Sequence, residues 1–138
     1  MTFDYKEKSV AQLQKNFSER AREGKNGFTD LADFLDWYNS QEKNCHYCGL
    51  TEMESQEIVM TGLLTSNRFP QNGIIGRGQS RGVWLEVDRF SPKEKYSRTN
   101  CVLCCYFCNN DKSDVFEGVD YLKFRHNRSK FLKEKLKR

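Results

Sequence analysis

The sequence predicts an α+β fold in which a short β-hairpin and the helix after it are tied through cysteines to an upstream turn, with further helices on either side. Three observations carry that expectation. Two Cys-x-x-Cys turns are available, NCHYCG at 44–49 and CYFC at 105–108. Two β-prone runs, Val83 to Val87 and Cys101 to Cys105, flank a polar turn. Apolar residues three and four apart mark helices in the N-terminal part.

The first helix is expected from Ser9 to about Gly24, with Val10, Leu13, Phe17 and Ala21 on one face. Thr29 or Asp30 can cap a second, with Leu31, Phe34, Leu35 and Tyr38 on its buried side. Gly49 suits the tight turn of the first cysteine pair. From Thr51 to Gly82 periodicity fades and Gly62, Pro70, Gly73, Gly76, Gly78 and Gly82 accumulate, so a long loop is expected there; its length suggests contact with a ligand. After Cys108, the segment NNDKSDVFEG can start a helix with Asn109 or Asn110 near its beginning and Gly118 as its stop. A last helix, from about Val119 to Leu136, would partly bury Leu122, Phe124, Phe131 and Leu132.

At 138 residues, one compact domain (1–138) is expected: a helical part at 1–43, a stapled core at 44–118 and a basic helix at 119–138. With 37% hydrophobic and 30% charged residues, a core alone is a modest source of stability, and the six cysteines offer another. The chain has no apolar run of the roughly 20 residues that cross a bilayer, and its start, MTFDYKEKSV, lacks the apolar centre of a secretory signal. A cytoplasmic location is therefore expected. Disulfides rarely persist there, so the cysteine pairs read as metal ligands, with zinc the leading ion.

Four ligands must come from six cysteines. Cys45 and Cys48 form one pair; the other is Cys101 with Cys104, or Cys105 with Cys108. The latter is preferred, because a strand end and a first helical turn can aim at one ion. Four thiolates close a tetrahedron and leave no place for substrate, so this zinc is structural. A redox dithiol is the rival, but it needs only one such pair, opening a helix in a βαβ pattern that is not apparent here.

Net charge is +4, unevenly spread. Residues 119–138 hold eight Lys or Arg, Arg125, Arg128 and Lys130 among them, against Asp120 and Glu134. A basic tail on a nearly neutral body suits nucleic-acid phosphates, and equally a solvated helix end.

The run LEVDRFSPKEKYSRTNCVLCCYFCNNDKSD resembles the motif of the HNH (ββα-metal) endonuclease family. There a strand ends in Asp-His, a loop leads to Asn before a second strand, and Cys-x-x-Cys-Asn-x-x-Lys opens a helix. Asp88, Asn100, Cys105, Cys108, Asn109 and Lys112 stand at those places. Arg89 replaces the histidine, and the two histidines, His46 and His126, lie elsewhere. Val-Asp-Arg followed by a Tyr before the Asn is similar to a rare-cutting restriction branch of the family. The stretch EGKNGFTDLADFLDWYNSQEKNCHYCG extends the likeness, which covers about Glu23 to Phe116. The second, N-terminal zinc site of that branch is missing, since residues 1–44 contain no cysteine.

The resemblance implies a treble-clef-like ββα-metal core and metal-dependent hydrolysis of DNA phosphodiester bonds. It implies that Asp88 and Asn109 hold Mg²⁺ or Mn²⁺, a hard ion content with one or two protein oxygens. Tyr96 is the candidate to orient or deprotonate the attacking water; the base role would need its phenol well below the usual value of about 10. Arg89 cannot serve as a base, but its fork can bind the scissile phosphate. Lys112, one turn beyond Asn109, would hold an adjacent phosphate, Lys25 would approach the DNA backbone, and Asn100 would close the loop. A noncatalytic zinc-stabilised DNA-binding protein is the alternative. Cutting both strands would take a homodimer or two successive nicks, and restriction, homing and nicking roles all stay open.

Overall fold

Side-chain caps open four of the helices in the computed structural model, which describes residues 3–125 and 128–137. Ser9 opens α1 (Val10–Arg22) with a capping box: Ser9 Oγ accepts from Gln12 N, and Gln12 Oε1 accepts from Ser9 N. Leu13 is buried, whereas Val10, expected on the same face, is 62% exposed. Asp30 caps α2 (Leu31–Ser40) by accepting from Asp33 N, and Phe34, Trp37 and Tyr38 are buried.

The region 51–82 is not loop throughout. Thr51 and Glu54 form a second capping box, and α3 (Glu52–Met60) follows. Apolar periodicity could not announce this helix, because its buried face is largely polar: Glu52, Ser55 and Gln56 lie inside with Ile58 and Val59. Each polar group is satisfied, as burial demands. Glu52 accepts from Leu85 N at 2.9 Å and from the Tyr5 hydroxyl, Ser55 Oγ donates to Gly82 O at 2.6 Å, and Gln56 Nε2 donates to Val83 O at 3.0 Å. Residues 61–85 stay irregular apart from isolated bridges at Gln71–Ile74 and Gly76–Gln79. Phe69 pins that stretch edge-on to Tyr106 and Phe107.

β1 (Glu86–Arg89) and β2 (Cys101–Cys104) make an antiparallel hairpin, Asp88 opposite Val102 and Arg89 opposite Cys101. α4 (Tyr106–Lys112) begins earlier than expected, because Cys105 acts as its N-cap with Sγ accepting from Cys108 N. Asn109 therefore sits within the helix and not at its start. Gly118, expected to stop a helix, opens α5 (Gly118–Phe124): its N–H donates to Phe90 O at 2.6 Å, and a Cβ there would overlap the Phe90 ring. The one helix expected over 119–136 is α5 followed by α6 (Arg128–Leu136), with Tyr121 and Leu132 buried and Phe131 exposed.

One cluster of buried side chains, including Leu13, Phe34, Leu50, Ile58, Leu103, Tyr121 and Leu132, joins the helices to the hairpin. The architecture is thus α+β, a ββα core flanked by N- and C-terminal helices. Among the described residues no helix is long and apolar enough to cross a membrane.

Candidate metal centre and active site

The first cysteine turn is shaped by its backbone. Cys45 N donates to Leu50 O at 2.7 Å, Gly49 N donates to Cys45 O at 2.9 Å, and Gly49 adopts φ 81°, where a side chain would be strained. His46 N donates to Leu103 O at 2.8 Å, which docks the turn on β2. Across from it, the β2-to-α4 junction supplies Cys105 and Cys108. The ligand atoms of Cys45, Cys48, Cys105 and Cys108 all lie within 4.8 Å of one another, so the group could hold a metal ion. Cys48 Sγ and Cys105 Sγ are 3.7 Å apart, too far for a disulfide. That spacing matches the edge, about 3.8 Å, of a tetrahedron with metal–sulfur bonds of about 2.3 Å. Hydrogen bonds from Cys105 and Cys108 hold the Cys45 thiol far below its ordinary range. Burial pushes Cys101 up to about 12 and Cys104 well above its ordinary value, and neither belongs to the clustered four.

Asp88, on β1, is buried. Tyr47 OH donates to its Oδ2 at 2.6 Å, and Lys112 Nζ lies 3.2 Å from the same oxygen. Burial raises the Asp88 carboxyl above the usual carboxylate range, against the opposing pull of Tyr47, Lys112 and Arg89. Burial also raises the Tyr47 phenol, with Asp88 adding to the shift, so Tyr47 remains a donor. Tyr47 was not among the residues singled out from the sequence; its place inside the cysteine turn gave no hint of Asp88, 41 residues away.

Lys112 does not reach solvent. It faces β1, where it also donates to Arg89 O at 3.0 Å, and its side chain is 0% exposed. The phosphate contact expected of it is corrected accordingly: the helical turn that aligns it with Asn109 points it inward, at Asp88. Asn109 is half-buried, and its Nδ2 donates to Glu86 Oε1 at 2.7 Å. Glu86 is in turn held by Arg81. Asp88 and Asn109 thus stand on the facing elements β1 and α4, cross-linked by Lys112 and by Glu86.

A cleft of about 450 Å³ opens between α1 and β1, lined by Lys15, Arg20, Arg81, Trp84, Glu86 and Asn109. At its margin Arg20 stacks on the Tyr96 ring at 4.6 Å, and the Arg89 guanidinium lies 5.1 Å from that ring. Tyr96 is fixed through its backbone, with N donating to Lys25 O at 2.9 Å and O accepting from Gly27 N at 2.6 Å. Lys25 is therefore beside Tyr96, with its side chain 46% exposed. Nothing in the sequence singles out Arg20, since a single arginine on an amphipathic helix carries no signal of its own. Asn100 is buried and bonds across the 91–100 loop, accepting from Ser91 N and donating to Ser91 O and Lys95 O.

The C-terminal basic residues lie apart from this cleft's lining. α6 packs on α3. Arg128 is committed to Asp111 at 2.8 Å, Arg125 donates to Leu122 O, and Lys130 is exposed. His126 falls outside the described residues.

No family model and no curated protein matches the chain. Among solved structures, the chain is similar to the rare-cutting HNH restriction endonuclease PacI, with a TM-score of 0.65 and 25% identity over 95% of this chain and 84% of that one. The likeness spans nearly the whole chain. In fold, with four cysteines placed where they could hold a metal ion, the chain is of the HNH (ββα-metal) type.

Proposed function

We propose that this protein is a metal-dependent HNH endonuclease that hydrolyses DNA phosphodiester bonds, the whole chain acting as one domain in the reducing cytoplasm. The observation that carries the reading is the placement of Asp88 on β1 and Asn109 on α4, two elements joined by the Lys112–Asp88 and Asn109–Glu86 contacts, with a four-cysteine cluster in a fold similar to an HNH endonuclease. The donor set fits two different ions. Four clustered thiols suit Zn²⁺ in a closed, structural site. A carboxylate and an amide oxygen suit a hard ion; Asn109 Oδ1 takes no hydrogen bond among the described residues and is available to one.

Mg²⁺ or Mn²⁺ at Asp88 and Asn109 would neutralise the phosphate and the leaving 3′ oxygen. Arg89 binds a non-bridging oxygen of the scissile phosphate through its planar fork of donors. Tyr96 Oη orients the water whose oxygen bonds to phosphorus as the bond to the 3′ oxygen breaks, the water giving a proton to the surrounding solvent and the 3′ oxygen taking one from it. Arg20 and Arg89, stacked on Tyr96, hold its ring at the cleft margin. Lys25, exposed beside Tyr96, contacts the DNA backbone, and Lys130 adds phosphate affinity from α6. A homodimer would place two such sites on one duplex.

Incubation of supercoiled plasmid with the protein tests the reading. Nicking or linearisation is expected with Mg²⁺ or Mn²⁺ and none with EDTA; discrete fragments from a larger genome would assign a sequence-specific, restriction-like role. Because Asp88→Ala alone would strand the Lys112 charge, the ligand test uses Asp88→Ala with Lys112→Met, expected to keep its zinc and lose cutting. Cutting by that variant at the wild-type rate would remove Asp88 from the chemistry.

A further inference from the structure

A carboxylate can only accept hydrogen bonds, so a side-chain amide facing one must turn its NH₂ toward it. Glu86 lies two residues before Asp88 on β1, so the two project from one face of the strand. Asn109 and Lys112, one turn apart on α4, meet that face: Asn109 Nδ2 at Glu86 Oε1, 2.7 Å, and Lys112 Nζ at Asp88 Oδ2, 3.2 Å. The orientation of the Asn109 amide follows, since turning it over would set Oδ1 against a carboxylate oxygen. Glu86 is itself gripped by a fork, with Arg81 Nε donating to Oε2 at 2.8 Å and Nη2 to Oε1 at 3.0 Å. Both of its oxygens are engaged, Oε2 by Arg81 and Oε1 by Arg81 and Asn109 together.

We propose that Glu86, held by Arg81, is a positioning residue that locks the Asn109 side chain with Oδ1 turned to the hard cation. The inference rests on the reading of Asp88 and Asn109 as the residues that hold that ion. An unanchored amide would present NH₂ to the cation in one of its two orientations and would lose rotational freedom on binding. Partners of this outer kind change metal affinity by about 10–100-fold.

The test is Mn²⁺ binding to the zinc-loaded full chain, followed by the electron paramagnetic resonance of free Mn²⁺, which needs neither DNA nor turnover. Glu86→Ala is expected to weaken binding about 10-fold or more, with zinc content and circular dichroism unchanged. In an Asn109→Ala background the same change is expected to have no further effect, because Glu86 acts through Asn109. Equal losses in both backgrounds, or none in either, would overturn the positioning role. Should Glu86→Ala fail to fold, Arg81→Ala, on a half-exposed side chain, replaces it: weaker binding that vanishes in the Asn109→Ala background is expected, and unchanged binding overturns the inference. Asp88→Ala with Lys112→Met separates the two levels. If it binds Mn²⁺ as well as wild type, the ion assignment fails and the inference with it; if it does not, and Glu86→Ala is silent, the positioning role alone fails.

Discussion

Lys112 Nζ lies 3.2 Å from Asp88 Oδ2, with the two side chains 0% and 8% exposed, so each buries a charge against the other. Removing two ions from water costs several kcal/mol apiece, and their attraction offsets this only while both are present. The pair therefore makes the proposed ligand a structural residue as well. Mutagenesis of this site has to separate those roles.

Lys112→Met leaves a buried carboxylate without its cation and is expected to lower stability by about 3–5 kcal/mol. Adding Asp88→Ala should recover most of that loss, since no charge is then left buried. Urea unfolding of wild type, both single variants and the double variant checks this; singles whose effects simply add would show that the residues are not coupled.

Elemental analysis distinguishes the four clustered cysteines from the other two. One zinc per chain is expected, retained by Cys101→Ala and Cys104→Ala and lost by Cys105→Ala. The physical basis is geometric: the ligand atoms of Cys45, Cys48, Cys105 and Cys108 lie within 4.8 Å of one another, and Cys101 and Cys104 are not part of that group. Chelation of the wild-type metal should lower the melting temperature sharply, because metal binding and folding are linked.

Gly118→Ala tests how closely α5 seats against the motif. A methyl group there meets the Phe90 ring, and overpacking of this kind costs typically about 1–3 kcal/mol. Phe90 follows Arg89 directly, so plasmid cutting should fall along with the melting temperature. An unchanged melting temperature would show that the ring moves aside freely.

Acid sensitivity is expected where α2 meets the 91–100 loop. Thr29 N and Arg98 hold the Asp33 carboxyl below its ordinary value of 3.8. Its contribution to stability is present above that value and is lost as pH falls through the lower, folded one. A carboxyl NMR titration should place the Asp33 midpoint below 3.8, with Arg98→Gln moving it upward; a midpoint that ignores Arg98 would dissolve the pair.

The features legible in the sequence were those written in short-range spacing. Two cysteine pairs announced the cluster, and the strand-to-helix junction favoured Cys105 and Cys108 over Cys101 and Cys104. What stayed hidden depended on partners far along the chain. α3 was illegible because it buries Glu52, Ser55 and Gln56, which look like surface residues until Leu85, Gly82 and Val83 receive them. The start of α4 was misplaced because cysteine is not among the usual capping residues. Lys112 was correctly put on the Asn109 side of α4, but helical spacing cannot say whether that side faces water or a strand. Glu86 carries no motif; its relation to Asn109 exists only once α4 crosses β1.

Asn109 is the proposed ligand whose removal leaves no buried charge behind, so it offers the most direct measurement: the rate at which Asn109→Ala nicks supercoiled plasmid in Mn²⁺, beside wild type. A loss of 100-fold or more, on the order of 3 kcal/mol of barrier, is expected at unchanged zinc content and melting temperature. Nicking within twofold of wild type would contradict metal-dependent hydrolysis at Asp88 and Asn109.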